Sequence, residues 1–401
     1  MQATSVVTAR KAVGISGKLT VQAAFILLFP GFFFYQTLLG IGAIGAYLGG
    51  YFTLVALLLL IPLVAAFMGA VRRHKNYVSG FDLWLVLFVI YYFTILAVNF
   101  AAGANQMIVE RYVQSMIFCF ETYVIFRLIE LEDRRFILIV ASSLLLLSVI
   151  TYYFSIGGFF FLQALGEAQS PESLATYQGF ARSYIYTYLV LISVVRSMPI
   201  RYLLYGVGTC ALFLNGARSE FSAVLFLIPI IELYYAKRRL YAISILIFLA
   251  AFIVGGIDQI TSMLPENRIL QLLDLSHSTS AVARQHLSMN ALQTISENPI
   301  FGDFASYPDG HYAHNVLCAW VDFGLFGIVF FMSLLIWTAV WLFLNGFLSR
   351  KKSAYFLLAW SFICITILWV LTAKNVPDMS VGAAMGAFAR YRYGKKYGVE
   401  R

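Results

Sequence analysis

Apolar runs of about 20 residues, the length at which a helix can cross the hydrocarbon of a bilayer, recur along this chain between residues 20 and 389. A backbone inside lipid must satisfy its own hydrogen bonds, which favours helices for these runs. The strands of a membrane β-barrel alternate in polarity, whereas runs such as ILIFLAAFIV (245–254) do not. We therefore predict an all-α polytopic membrane protein.

Charged residues make up 12% of the chain, too few to coat a water-soluble protein, in which roughly 25% is usual. The net charge is +9, which in a soluble protein would suggest a nucleic-acid partner. Here the Lys and Arg residues fall mostly in short turns between apolar runs, where they set membrane orientation. We therefore expect membrane lipids as partners and no nucleic acid.

The apolar runs predict about twelve transmembrane helices in a single transmembrane domain, 1–401. Their approximate bounds are 20–38, 43–68, 81–102, 112–129, 136–156, 183–195, 202–214, 221–235, 240–256, 315–345, 354–372 and 379–389.

Every second turn between these helices is basic, as the positive-inside rule requires of cytoplasmic turns. The basic segments are RRHK (72–75), EDRR (132–135), RSMPIR (196–201), KRR (237–239), RKK (350–352) and the C-terminal RYRYGKKYGVER. Both termini are therefore predicted on the cytoplasmic side.

The longest segment on the opposite side is 257–314, which we expect to carry short helices rather than to be a flexible linker. Residues 268–275 can form one, and the hydroxyls of SHSTS (276–280) can cap the next. Apolar side chains then recur every fourth residue, and Asn298-Pro299 should end that helix; the stripe is Ala283, Leu287, Ala291 and Ile295.

Four of the five histidines lie in this outer segment: His277, His286, His311 and His314. Histidine is the natural general base near neutral pH, although a solvated loop also accommodates polar residues of this kind. His314 is the strongest candidate because it lies where the loop meets a predicted span, and Asn315 beside it can orient a hydroxyl or a phosphate.

Arg218 lies in NGARSE (215–220), a very short outer turn between two apolar runs. An arginine on the side disfavoured by the charge rule either reaches to lipid phosphates or binds a ligand's phosphate through its planar guanidinium. Arg182, Arg284 and Arg268 are also outer arginines. We expect these arginines to converge on one pocket with His314.

No outer carboxylate pair of DxD type appears, the arrangement with which metal-dependent membrane glycosyltransferases hold a cation on a diphosphate. The HxxH of residues 311–314 has no third zinc ligand at a fitting spacing. No cofactor motif is found, and all four cysteines fall in predicted spans without metal or disulfide spacing. We expect no metal, no cofactor and free thiols.

NPIFGDF (298–304) followed by HNVLCAWVDFGLFGI (314–328) resembles the P-x-x-G…HN…x-x-G-x-x-G pattern of the O-antigen polymerase and O-antigen ligase superfamily. NGARSEF (215–221) is similar to that superfamily's small-residue-Arg-Ser turn. GFARSY (179–184) lies where members often carry an arginine before a span, although no Asn-Pro follows Arg182 as in ligases.

The resemblance implies a GT-C-like fold and metal-independent, inverting glycosyl transfer at the periplasmic face of the bacterial inner membrane. The donor would be a glycan on undecaprenyl diphosphate, and a separate protein would regulate chain length. His314 and Arg218 would be catalytic, and Arg182, Arg284, His311 and Asn315 would bind the diphosphate or glycan. A polymerase would use another lipid-linked repeat as acceptor, whereas a ligase would use the lipid A core.

An alternative interpretation, from another functional class, is a polysaccharide flippase or other transporter. Such a protein would show charged residues deep in several spans and a pseudo-repeat of its halves. The sequence shows neither, and Glu121 is the main acidic residue within a predicted span.

Overall fold

A computed structural model describes residues 14–48, 51–74, 77–160, 162, 176–263, 269–270, 279–308, 311–349, 351–373, 376 and 378–397. The described chain is helical apart from turns, loops and one hairpin, as predicted. Most of the predicted helix at 268–275, most of the capping segment 276–280, His277 and Arg268 lie outside the described residues.

The helices follow in chain order, with two short π-helical turns inserted. They are α1 (Ile15–Ile26), a π turn (Leu27–Gly31), α2 (Phe32–Gly40), α3 (Phe52–Arg73), α4 (Gly80–Ala101), α5 (Gln106–Leu128), α6 (Arg134–Tyr153), α7 (Thr176–Val194), α8 (Met198–Asn215), α9 (Arg218–Tyr235), α10 (Arg239–Gly255), α11 (Ile257–Met263), α12 (Thr279–Glu297), α13 (Leu317–Leu342), a second π turn (Phe343–Phe347), α14 (Ala354–Thr372) and α15 (Met379–Lys396). The hairpin strands are β1 (Ser155–Ile156) and β2 (Phe159–Phe160), which pair antiparallel.

Six helical segments of the described chain are long and apolar enough to cross a membrane: Ile15–Gly40, Phe52–Arg73, Gly80–Ala101, Arg134–Tyr153, Leu317–Phe347 and Ala354–Thr372. Each of the twelve predicted spans overlaps a helix. The structure thus shows a helical protein of membrane type, while the count of twelve spans stays a prediction.

Some predicted boundaries were wrong, and glycine explains two of them. The second span begins at Phe52 rather than at residue 43, because Gly42 adopts a φ of +73° and the chain forms turns there. The fifth predicted span, 136–156, corresponds to α6, which ends at Tyr153, since Gly157 and Gly158 have φ values of +59° and +86° and close the hairpin.

The described residues fall into two compact units. Those of Met1–Ala24, Ala56–Glu130 and Ser278–Arg401 form the first unit, and those of Phe25–Val55 and Leu131–His277 form the second unit.

In the first unit, α15 packs against α5 at backbone distance. A Cβ atom at Gly382 would lie 1.8 Å from the carbonyl oxygen of Cys119, and one at Gly386 would lie 2.3 Å from that of Tyr123. Glycines four residues apart allow such close approach between membrane helices. This contact explains why α15 is buried along most of its length although its sequence gives the weakest apolar signal.

In the second unit, α8 and α9 form an antiparallel pair joined by a tight turn. Gly216 makes the turn with a φ of +75°. At the opposite end of the pair, Arg201 donates two hydrogen bonds to the Glu232 carboxylate, at 2.8 and 3.0 Å, and the Tyr205 hydroxyl donates to the same group at 2.8 Å. This bidentate pair fixes how the two helices align.

Candidate functional site

The loop between α12 and α13 docks on a break in α13. Gly324 has a φ of +67° and a ψ of −174°, which interrupts the helix. The amide of Asp303 donates to the carbonyl of Val321 at 2.6 Å, and the amide of Leu325 donates to the carbonyl of Ile300 at 3.0 Å. The loop therefore supplies backbone hydrogen bonds at the place where the helix is interrupted.

The two glycines at this contact leave no room for a side chain. A Cβ atom on Gly302 would lie 2.3 Å from the Val321 carbonyl oxygen, and one on Gly324 would lie 2.2 Å from the Ile300 carbonyl oxygen. Both glycines also have positive φ values, +71° and +67°, which L side chains adopt at a cost. Close backbone contact therefore explains why glycine stands at position 302, in the P-x-x-G segment, and at position 324, in HNVLCAWVDFGLFGI.

A fully buried carboxylate, Asp322, lies one turn after the start of α13 and accepts hydrogen bonds from several donors. Tyr112 of α5 donates to Oδ2, as does the Cys318 thiol at 3.0 Å. The Tyr307 hydroxyl lies 3.1 and 3.0 Å from the two oxygens, and the Ala305 amide donates to Oδ1 at 3.2 Å. Asp322 therefore ties the loop to both helices.

Tyr307 is the loop's side-chain contribution to this cluster. Burial, and secondly the neighbouring Asp322 carboxylate, raise the pKa of Tyr307. Its hydroxyl lies 2.7 Å from that of Tyr112. A tyrosine with a raised pKa stays protonated at neutral pH, so Tyr307 can serve as a donor there.

Asp322 was not among the site residues predicted from the sequence. A carboxylate within the apolar run LCAWVDFGLFGI is costly without partners, and that cost is the signal that would have identified it. Glu121, the acidic residue singled out instead, is fully buried in α5. Its carboxylate oxygens have no hydrogen-bond partner among the described residues.

Helix α12 confirms the helix predicted for 281–296, and it ends at Glu297, immediately before Asn298-Pro299. Ala291 and Ile295 are buried and pack with Cys318 and Val321 at the start of α13. The apolar stripe thus rests on the end of a candidate span, whereas Ala283 is exposed at the other end of α12.

Asn315 links the loop to α12. Its Nδ2 donates to the hydroxyl of Ser288 at 3.1 Å, and its Oδ1 accepts from the Leu317 amide at 3.0 Å. Both ends of the amide are thus engaged within the protein. The geometry gives Asn315 a role in positioning the chain, while the predicted contact with substrate stays a prediction.

Two more predicted residues lie near this link. Arg284, which is half-buried, precedes Ser288 by four residues, so the two share a face of α12. His314, also half-buried, is the neighbour of Asn315, and its ring centroid lies 4.5 Å from that of Tyr312. The first unit therefore places His314 and Asn315 together at the end of the loop, with Arg284 one helical turn from the Ser288 that Asn315 contacts.

His311 is exposed and lines a cavity of about 250 Å³ between α12 and the loop. Tyr307, Asn290 and Thr294 add polar groups to the same cavity. Among the residues that the structure describes, no group of three His, Cys, Asp or Glu side chains is placed to hold a metal ion.

Arg218 is the first residue of α9 in the second unit and is half-buried. Two residues on, Glu220 is fully buried and accepts a hydrogen bond from the Ser219 hydroxyl at 2.6 Å. The buried Oδ1 of Asn215 has no hydrogen-bond partner among the described residues. The turn thus presents an arginine beside a buried carboxylate.

Arg182 also belongs to the second unit, where it is half-buried on α7 between the buried residues Ala181 and Ser183. The predicted convergence of Arg182 and Arg218 on His314 stays a prediction.

No protein-family model matches this sequence, and a search of curated proteins finds no match.

Proposed function

We propose that this chain is a membrane glycosyltransferase of the O-antigen polymerase type. It transfers a glycan from undecaprenyl diphosphate to the acceptor sugar of another lipid-linked repeat, with inversion and without a metal ion. The reaction takes place at the periplasmic face of the bacterial inner membrane. The chain has a GT-C-like fold with twelve spans and cytoplasmic termini, and a separate protein regulates the length of its product.

The observation that carries this proposal is that residues of the P-x-x-G…HN…x-x-G-x-x-G pattern belong to one docked loop and the helix that it contacts. Gly302 and Gly324 form the backbone contact between the loop and α13, and His314-Asn315 closes the same loop at the start of that helix. A pattern scattered by chance along the chain has no reason to coincide with one docked loop.

In the reaction, an acceptor hydroxyl oxygen attacks the donor's anomeric carbon, and the bond from that carbon to the diphosphate breaks. His314 takes the proton of the attacking hydroxyl, and undecaprenyl diphosphate leaves with the bonding electron pair. Because the diphosphate is already a good leaving group, the main electrostatic requirement is to stabilise its growing negative charge.

Arginine supplies that stabilisation in the absence of a metal. Arg218 is proposed as the principal contact to the diphosphate, with Arg182 and Arg284 as further cations and His311 and Asn315 as groups that bind the glycan. A guanidinium suits this role because it forms two parallel hydrogen bonds to phosphate oxygens.

The biochemical test uses purified protein and synthetic undecaprenyl-diphosphate repeat units, with polymer formation as the readout. His314→Ala should lower turnover by about 10²–10⁴-fold if His314 is the general base. His286→Ala, at an exposed histidine of α12, is the matched control and should keep wild-type turnover. Arg218→Ala should lose transfer, whereas Arg238→Ala, at an exposed arginine of the same unit, should retain it.

Deletion in the source organism separates the polymerase from its rivals. A polymerase mutant keeps a single repeat on the lipid A core, whereas a ligase mutant loses all attached repeats. A flippase predicts that purified protein moves lipid-linked repeats across a vesicle membrane without joining them. Wild-type turnover in His314→Ala or Arg218→Ala would remove that residue from the mechanism.

A further inference from the structure

A second concave surface of the first unit lies beside the docked loop. It is a groove of about 800 Å³ between α4, residues 300–304 and α13. This volume falls within the range of small-molecule sites. None of the residues assigned above to transfer lines this groove.

The groove is lined mainly by apolar side chains of α4, the loop and α13, and it also holds an exposed aromatic ring and hydrogen-bond acceptors. Phe301 is 86% exposed, and its ring contacts no other ring among the described residues. The carboxylate of Asp303 has no hydrogen-bond or ion-pair partner among the described residues. Asn99 uses its Nδ2 to donate to the Ile95 carbonyl at 2.9 Å, which leaves its Oδ1 as an acceptor.

The walls of the groove are fixed in place. The Tyr91 hydroxyl donates to the Phe323 carbonyl at 2.5 Å, and the Tyr91 ring lies 5.0 Å from that of Phe326. Residues 300–303 are fixed by the two backbone hydrogen bonds to α13. Phe301 and Asp303 are therefore presented on an anchored segment rather than on a long free loop.

Electrostatics decides which ligands fit. Among the residues that line the groove, none is Lys, Arg or His, and Asp303 contributes a negative charge. A phosphate or diphosphate would be repelled there. A lipid tail cannot donate hydrogen bonds to the Asp303 carboxylate or the Asn99 amide oxygen. Its binding would also remove water from both groups, which is costly.

We infer that this groove is a saccharide subsite. The ring of Phe301 stacks against the C–H face of a neutral sugar, because an aromatic face carries negative charge density that attracts C–H groups. The Asp303 carboxylate and the Asn99 Oδ1 accept hydrogen bonds from sugar hydroxyls. Assigning that sugar to the donor or the acceptor glycan rests on the proposed function.

The binding test uses purified protein in nanodiscs and a panel of methyl glycosides: glucoside, galactoside, rhamnoside and N-acetylglucosaminide. Saturation-transfer NMR reports which sugar protons touch the protein, and titration gives the affinity. At least one glycoside should bind wild type, and Phe301→Ala should weaken that binding by about five- to tenfold. Phe301→Trp should restore it, and Asp303→Asn should weaken it.

The matched control is Phe252→Ala, which removes a phenylalanine that is 70% exposed on α10. It should leave glycoside binding unchanged. If Phe301 is instead a membrane-interface anchor, Phe301→Ala will leave glycoside affinity at the wild-type value, which overturns the subsite. Failure of every glycoside in the panel to bind wild type also overturns it.

A turnover assay with a water-soluble acceptor glycoside and a lipid-linked donor distinguishes the two sources of the sugar. In Phe301→Ala, a rise in KM for the acceptor alone assigns the groove to the acceptor, and a rise for the donor alone assigns it to the donor. Phe301-dependent glycoside binding without any transfer would refute the proposed function and keep the subsite. If transfer depends on His314 but glycoside binding is unchanged in Phe301→Ala, the proposed function is kept and the subsite is refuted.

Discussion

Gly302 lies against the backbone of Gly324: a Cβ atom on Gly302 would lie 2.8 Å from the Gly324 amide nitrogen. The contact joins a loop to an interrupted helix through two main-chain hydrogen bonds. Its closeness leaves space only for glycine at both positions. The position of the loop that ends in His314 therefore depends on this pair.

Gly302→Ala is expected to destabilise the first unit by about 3 kcal/mol or more, because it adds backbone strain to a clash that separates hydrogen-bonded segments. Thermal unfolding in detergent measures the loss. Gly103→Ala is the matched control, since Gly103 has a φ of +92° but nothing within 4 Å of its Cβ position. It should cost only about 1 kcal/mol of strain. Equal losses in the two variants would contradict the backbone contact.

Asp322 and Tyr307 are expected to be energetically coupled. Asp322→Asn removes the charge that several donors face and should cost about 1–3 kcal/mol. Tyr307→Phe in that background should cost less than in wild type, because its donor has already lost its best acceptor. A double-mutant cycle by thermal unfolding gives the coupling, with hydrogen exchange of residues 300–308 as a local readout.

Tyr241→Phe, at an exposed tyrosine of the second unit, is the control for that cycle and should be additive with Asp322→Asn. Additivity of Tyr307→Phe with Asp322→Asn would show that the carboxylate does not hold the loop.

The helical membrane-type fold was predictable because hydrophobic run length is a local property that survives packing. Helix α12 was also predictable from the sequence, since its apolar residues at every fourth position and the Asn-Pro that ends it lie within one segment. The start of the second span was misplaced because Gly42 and its neighbours are apolar yet turn-forming. Apolarity alone does not distinguish those two states.

The candidate site was only partly predictable from the sequence. His314 and Asn315 stand out because they are polar residues at the end of an apolar run, but the partner of Asn315 is Ser288, 27 positions away. The donors to Asp322 likewise come from both α5 and the loop, a non-local arrangement that no sequence period encodes. The glycine contact was visible as a motif, while its cause required the structure.

Asn315 and Ser288 offer a test of positioning against substrate contact. Ser288→Ala should cost about 1 kcal/mol of stability through the lost hydrogen bond. Ser288→Ala and Asn315→Ala should each lower transfer, and the double variant should lose less than the sum of the two single effects. Asn315→Asp should retain most stability, since its carboxylate can accept from both the Leu317 amide and the Ser288 hydroxyl. Thermal unfolding and polymer formation are measured on the same preparations.

The control for this pair is Ser296→Ala, also on α12, whose hydroxyl donates to the Gln293 carbonyl within its own helix. It should leave polymer formation unchanged. Full activity in Ser288→Ala together with strong loss in Asn315→Ala would instead favour direct contact between Asn315 and the substrate.

Alkaline pH should destabilise the docked loop through Tyr307. Its pKa is raised in the folded protein by burial and by the Asp322 carboxylate, so the folded state holds the phenolic proton more tightly than the unfolded state does. The resulting contribution is fully present below the unfolded pKa of about 10 and is lost as pH rises above it. Unfolding temperatures of wild type and Tyr307→Phe, followed from pH 8 to 11.5, should therefore converge as pH increases. Parallel curves across that range would mean that Tyr307 has the same proton affinity in both states and does not face the carboxylate.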